Sequence, residues 1–495
     1  MRRWILFALI FLSFYATLGY YPLFNLDEGA FSEATREMLE RHDFITTYLN
    51  GHLRFDKPIL IYWLQALSAS IFGLNEVAMR LPSALAATGW AYAIYRFTKR
   101  FFDEEKAYLA TLFMAGSIQI SIIAKAAIAD ALLNLFIALS MFCFYRYYQS
   151  RQKRYLYFTF AAIALGTLTK GPVAIMIPFV VSFLFLLKDF RFWLRSIFDP
   201  IGIVIFIAIA APWYVAEYLD QGEKFIQGFI FKHNLSRFGA KAMEGHSGPI
   251  YYYLVVLLVG LTPFSSVTLK AIFKITEWFD TPIKRYLSIW FLFVFIFFSL
   301  SHTKLPHYVI YGYTPLFILM ALYFEHIRSK VLLLLPYLLF HLIFFLLPFI
   351  KSAILKHTKP ESYEYYIIQA LQFDLAYKLY FLFTLILFFV MLKLSKKTSI
   401  TLAAFTTLIS LNFFIAKIYA DAAEEPIKAA ALYAKEHGLL VKMEGINVPS
   451  FNFYQRQIND ENATIILTKR SNLKHYPKAE ILFEKNAIVL LKEQR

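Results

Sequence analysis

Two adjacent carboxylates, Asp27 and Glu28, come directly after an apolar run from Trp4 to Phe24. A carboxylate pair where a chain leaves lipid can take a proton or steady developing positive charge, which makes the pair a candidate acid-base centre at a membrane face. Its plain rival is a helix N-cap followed by first-turn acid. More polar residues stand at the ends of later apolar runs or in the loops on the same side: Asp56-Lys57-Pro58, Lys125, Asp130, Lys170-Gly171-Pro172, His233, Arg237, Lys304, His307 and Tyr308. A charge at the centre of a membrane helix costs roughly 2.5 to 3.5 kcal/mol on insertion scales, so such groups serve a site or pair with one another. Lysine, arginine and carboxylate gathered at the lipid-water boundary are what a site needs to hold a lipid phosphate beside an acid or base.

Each of these residues also has an ordinary explanation. Lys57 can simply snorkel to the interface. Asp130 has Lys125 five positions earlier, which reads as a structural ion pair or as part of a site. His233 and His307 are single imidazoles without the His-x-x-x-His spacing of a metal site. Lys170-Gly171-Pro172 fits a tight turn between two spans as well as a site.

The elements that must position these groups are membrane helices. Of the 495 residues 59% are hydrophobic and 19% aromatic, the mean hydropathy is +0.53, and near-spanning apolar runs recur from end to end. A net charge of +16 would suggest nucleic acid in a soluble protein, but here the lysines and arginines sit in short gaps between apolar runs, so no nucleic-acid partner is expected. Cys143 is the single cysteine and lies in an apolar run, so no intrachain disulfide can form.

Trp4 to Phe24 has the basic Arg2 and Arg3 of a signal peptide but no small-residue cleavage site, and reads as an uncleaved first span. Further spans are expected near Leu81 to Tyr95, Ala107 to Ile123, Ile128 to Tyr145, Leu156 to Leu168, Val173 to Leu187, Ile197 to Tyr214 and Tyr251 to Leu269. Leu287 to Leu300, Tyr308 to Tyr323, Val331 to Ile350, Leu379 to Leu392 and Ile400 to Ile418 complete about thirteen helices of an all-α membrane bundle. Basic clusters occupy alternate gaps, among them Arg96 to Arg100, Arg146 to Arg154, Lys188 to Arg195, Lys270 to Arg285 and Lys393 to Lys397. The positive-inside rule puts those gaps in the cytoplasm and Asp27-Glu28, the Glu217 to Pro249 loop and the C-terminus outside. In the first outer loop, Asn25 to Arg80, an amphipathic stretch Glu33 to Glu40 and a short apolar stretch Ile59 to Phe72 are expected along the membrane surface. From Asp421 the composition becomes soluble. A helix pattern Pro426 to His437 and β-prone Thr464 to Thr468 and Glu480 to Leu491 predict a small α/β outer domain at 421–495, after a membrane domain at 1–420.

Five segments taken together resemble the aminoarabinose lipid A transferases, which group with the protein O-mannosyltransferases among the GT-C membrane glycosyltransferases. They are Asn25-Leu-Asp-Glu-Gly, Arg54-Phe-Asp-Lys-Pro-Ile-Leu-Ile-Tyr-Trp, Ala78-Met-Arg-Leu-Pro-Ser-Ala, Leu168-Thr-Lys-Gly-Pro and Lys304-Leu-Pro-His-Tyr. The resemblance runs in order through nearly the whole chain and implies a GT-C bundle that moves a sugar from a polyprenyl-phosphate carrier to a lipid or protein acceptor. It implies Asp27 as the catalytic carboxylate with Glu28 beside it, Asp130 as a second acid, and Lys57, Lys304, Tyr308 and Arg237 as the donor-phosphate pocket. Asp56 with His233 resembles a metal pair; a divalent metal such as zinc is optional, since a donor carrying one phosphate needs no Mg²⁺ to neutralise a diphosphate. The expected setting is a bacterial inner membrane, with membrane lipids around the chain and the site facing the periplasm. Asp27-Glu28-Gly29-Ala30-Phe31 departs from the Asp-Glu-Ala-Arg-Tyr of many relatives. The competing classes are a lipid-carrier flippase or transporter and a non-catalytic relative that binds lipid phosphate. Charges gathered at one face rather than at the midplane argue against a transporter.

Overall fold

The computed structural model describes residues 2–235 and 248–493. Arg237 lies outside the described residues, and so does the side chain of His233. Each expected span overlaps a helix or a helix pair. Among the described residues seven helices are long and apolar enough to cross a membrane, or up to nine if each bent pair is one span. Part of the difference from about thirteen spans lies in breaks, and part in two unbroken helices, Glu76–Phe101 and Lys153–Lys170, that are too polar to count as apolar spans. Glu104–Gly116 meets Ile118–Lys125 at 68°, and Val173–Phe185 meets Leu187–Ile197 at 80°. The run Tyr251 to Leu269 is split into helices Tyr252–Gly260 and Ser265–Ile272. The first run is helical only over Arg2–Ile10 and a π-helical Phe11–Tyr15, then unwinds into turns before Asp27.

Large side chains with a polar handle fix the bundle. Trp90 and Trp290 are fully buried; the indole of Trp90 donates to Thr314 Oγ1 at 2.8 Å and that of Trp290 to the Tyr311 carbonyl at 2.9 Å. The outermost helices differ: only 22% of the apolar window of Lys330–His357 and 28% of that of Leu375–Lys393 is buried, so their Leu, Ile and Phe side chains face lipid.

In the loop after the first run the helix is longer than expected and not superficial. Asp27–Arg41 buries every residue from Glu28 to Met38, because its charged face is paired inside the protein. Arg36 donates to Glu33 at 2.6 and 2.7 Å and also pairs with Glu40, while Thr35 donates to Gln65 at 2.9 Å on the neighbouring helix Leu60–Phe72. The soluble segment folds from Glu425 on. Its four-stranded sheet has the order Val441–Met443, Ile465–Lys469, Ile488–Lys492, Glu480–Lys485, with the first pair parallel and the others antiparallel. The expected β run 480 to 491 is thus a hairpin, turning at Asn486 with φ 51°.

Candidate functional site

Glu28 is buried and fully engaged. Arg80 donates Nε to its Oε1 at 2.9 Å and Nη2 to its Oε2 at 2.8 Å, and the amides of Ala127 and Phe24 donate to the same two oxygens at 2.7 and 2.9 Å. The other Arg80 donors reach the carbonyls of Leu18, Tyr21 and Pro22 at 2.7 to 2.9 Å. Those carbonyls are open because the first helix has unwound, and Arg80 supplies the donors that water would otherwise supply. Glu28 and Arg80 therefore tie together the end of the first run, the start of Asp27–Arg41, the helix Glu76–Phe101 and the turn before Asp130. In this geometry both Glu28 oxygens are engaged within the protein, each by two donors.

Asp27 differs in every respect: it is exposed at the first turn of its helix and makes no hydrogen bond or ion pair among the described residues. The Arg54-to-Pro58 segment lies alongside. Arg54 is nearly buried, pairs with Asp56 at 3.5 Å and lies 5.3 Å from the centre of the Phe31 ring. Burial works against its charge, but Tyr62, Asp56 and Asp27 more than offset that and raise its pKa. Phe31 in turn stacks on Tyr62 at 5.3 Å. The Lys57 ammonium donates to the Asp56 carbonyl at 3.0 Å.

Across the mouth, Asp130 opens the helix Asp130–Ser150 and is buried. It accepts from Lys170 at 2.7 Å and from the Tyr311 hydroxyl at 2.9 Å. The ion pair with Lys125, one of the two readings of that spacing, does not form: Lys125 ends a separate short helix and hydrogen-bonds Asn412 instead, because a turn intervenes at Ala126 to Ala129. Lys170 also lies 5.9 Å from the Tyr308 ring and 5.6 Å from the Tyr311 ring. The charges of Asp130, Lys170, Asp27 and Lys57 all act on the His307 imidazole. Tyr308 is buried beside His307. Lys304 donates to the Gly248 carbonyl at 2.9 Å, where the described chain resumes after residue 247.

The soluble domain closes the site from behind. Asn25 Nδ2 donates to Ser450 Oγ at 2.7 Å and to Glu424 Oε2 at 2.9 Å, and the Ser450 amide donates back to Asn25 Oδ1 at 3.2 Å. Burial pushes the Glu424 carboxyl up to about 7, against the pull of the Asn25 donors. A Cβ at Gly29 would stand 2.7 Å from the Ser450 nitrogen. The departure from alanine at this position thus has a local cause: helix Pro449–Gln455 docks backbone to backbone on the first turns of Asp27–Arg41.

Sequence reasoning missed Arg80 and Tyr311 as members of this assembly. Arg80 carried a signal, a lone guanidinium ahead of an apolar run; Tyr311 carried none among so many aromatics. Asp56 faces Arg54, and among the described residues no group of three or more His, Cys, Asp or Glu side chains could hold a metal.

Residues 56–215 match the family described as dolichyl-phosphate-mannose-protein mannosyltransferase. An uncharacterized protein of Aquifex aeolicus is 35% identical over 301 residues, 61% of this chain and 68% of that one. The undecaprenyl phosphate-alpha-4-amino-4-deoxy-L-arabinose arabinosyl transferase of Aeromonas hydrophila is 31% identical over 331 residues, 65% of this chain and 59% of that one. The chain matches 56 to 68% of the length of four curated relatives, these two included. The fold is that of ArnT from Cupriavidus metallidurans, whose crystal structure with undecaprenyl phosphate superposes with a TM-score of 0.83 at 18% identity, over 99% of this chain and 97% of that one. This multi-pass membrane protein belongs to the GT-C glycosyltransferase family, together with the aminoarabinose transferases and the dolichyl-phosphate-mannose-protein mannosyltransferases.

Proposed function

We propose that the chain transfers a sugar from a polyprenyl-phosphate carrier to a lipid or protein acceptor, at a site opening on the outer face of the inner membrane. The observation that carries the reading is the contrast between the two neighbouring carboxylates: Glu28 is locked by Arg80, and Asp27 is left exposed, its charge acting on the Arg54 guanidinium. In a family whose matched relatives include an undecaprenyl-phosphate sugar transferase, an open carboxylate beside a cation is suited to activating an acceptor next to a phosphate.

The acceptor oxygen attacks the anomeric carbon while the bond from that carbon to the phosphate oxygen breaks, and the polyprenyl phosphate leaves with the bonding electrons. Lys57, Lys304, Tyr308 and Arg237 would meet the charge on the departing phosphate. Asp27 takes the proton when the acceptor is a hydroxyl; when the acceptor is an ionised phosphate it orients the acceptor and steadies the oxocarbenium-like sugar. Asp130, neutralised by Lys170 and Tyr311, shapes the field at His307 across the mouth. The scheme needs no metal; a metal bound by Asp56 and His233 would serve placement only. The basic gaps between spans favour a cytoplasmic face opposite the site, and a carrier flippase is not favoured by the family match.

The test is purified protein in lipid with a panel of polyprenyl-phosphate sugars and acceptors. Release of free carrier phosphate that depends on both the sugar and the acceptor is the expected result. Carrier binding without release in every combination would leave only a binding protein.

A further inference from the structure

At the end of the bundle away from Asp27 there is a second cavity, of about 970 Å³. From Gly248, which accepts from Lys304 beside the site, the chain descends through Tyr252–Gly260 and Ser265–Ile272; Tyr313–Tyr323 descends from His307 in the same sense. The cavity lies where these helices end and Lys330–His357 begins, so it opens among the basic gaps.

Its lining is amphipathic. Lys270 and Arg328 make no ion pair or hydrogen bond among the described residues, whereas the nearby Glu325 is already taken by Lys396 and Lys397 at 3.7 and 3.6 Å. The first turn of Lys330–His357 also opens here, with Ser329 capping only the Leu332 amide, so the positive end of a 28-residue helix dipole adds to the two cations. On the bilayer side the walls are bare hydrocarbon: Phe273 is 78% exposed and Leu332 59% exposed. Two uncompensated cations at one end and open apolar walls at the other match a phosphate with acyl chains, and basic pockets between membrane helices on this side are where acidic lipid headgroups bind.

We propose that the cavity seats the phosphate diester of an anionic membrane phospholipid, the phosphate on Lys270 and Arg328 and the chains along Phe273 and Leu332. The site is separate from the donor pocket and takes a resident lipid of the opposite leaflet. It clasps Ser265–Ile272 to Lys330–His357, two helices otherwise joined at this end by the Ser266 hydroxyl donating to the Leu332 carbonyl at 2.6 Å.

Native mass spectrometry of the full-length protein in mild detergent, titrated with phosphatidylglycerol or phosphatidylcholine of the same chains, tests this. Each basic residue near a lipid phosphate contributes about 1 kcal/mol, so K270M/R328M should weaken phosphatidylglycerol binding roughly thirtyfold. Phosphatidylcholine binding should not change, and K270R/R328K should bind phosphatidylglycerol like the wild type. Equal retention of phosphatidylglycerol by K270M/R328M, or phosphatidylcholine bound as tightly as phosphatidylglycerol by the wild type, would overturn the proposal. So would loss of binding in K270R/R328K, which would trace the effect to the fold, or displacement of the lipid by glycerol phosphate at equal concentration, which would assign the cavity to a water-soluble anion.

Discussion

Asp27 and Glu28 are neighbours in sequence, yet losing the charge should do opposite things to them. Glu28 is 5% exposed and Arg80 1%, and four donors converge on the Glu28 oxygens at 2.7 to 2.9 Å. In Glu28→Gln one oxygen becomes an NH₂ group, which meets one backbone N–H and one Arg80 N–H donor to donor whichever way the amide turns. Half of the bonds fail and the Arg80 charge is left buried without its counter-ion. Removing one partner of a buried pair costs about 3 to 5 kcal/mol. For a chain of this size that lowers the melting temperature in detergent by roughly 3 to 10 °C. Asp27→Asn breaks no bond among the described residues and should change stability by less than about 0.5 kcal/mol. Its carrier-phosphate release should nonetheless fall by roughly two orders of magnitude or more, as for a lost acid-base group. Both variants are read by one melting curve and one release assay. An E28Q protein that melts with the wild type, or a D27N protein that melts as low as E28Q, refutes the division of roles.

Replacing Lys57 or Lys304 by Met keeps the apolar stem and deletes the charge; with about 1.5 to 3 kcal/mol per charged hydrogen bond, apparent donor affinity should fall roughly ten- to over a hundredfold while acceptor affinity holds, and equal losses for both substrates would argue for misfolding. Gly29→Ala should loosen the soluble domain by about 1 to 3 kcal/mol, seen as faster proteolysis between the last span and the sheet, because the Ser450 backbone stands 2.7 Å from the new Cβ. Glu424 has a folded pKa raised to about 7 by burial, so the stability it contributes is complete below its ordinary value and is lost as pH rises through 7. The wild type should lose more melting temperature than E424Q between pH 5 and 8, and parallel curves would exclude Glu424 as the cause. A cysteine replacing the exposed Glu461 should react with an impermeant thiol reagent from outside intact cells and one replacing the exposed Ser150 should not; the reverse pattern would move the site to the cytoplasm.

Composition made the membrane bundle legible, and the Asp-Glu pair pointed to the loop in which the candidate site lies. What could not be read was which of the two acids is open. That is decided by Arg80, 52 positions away from Glu28, and a contact of that separation leaves no local pattern. Sequence proximity misled at Lys125 and Asp130, because the turn between them sends the two side chains to different partners. Hydropathy located the spans but not their breaks, since a bend of 68° at Ser117 changes no composition. Helix Pro449–Gln455 is a run of Phe, Asn and Tyr with little helix propensity, held by its contact with the first loop. Gly29 was visible as a departure from its relatives, but its cause is the Ser450 backbone at the far end of the chain.

The bonds between Asn25 and Ser450 join residues 425 positions apart, and this has a consequence in time. Synthesis proceeds from the N-terminus, so the loop bearing Asp27 reaches the membrane surface before any of the later spans exist. The helix that backs Gly29 and the hydrogen-bond partners that hold Asn25 arrive only after those spans have been threaded. A partly made chain therefore presents Asp27 without its support, and the candidate site becomes complete only once the C-terminal domain has folded onto the bundle.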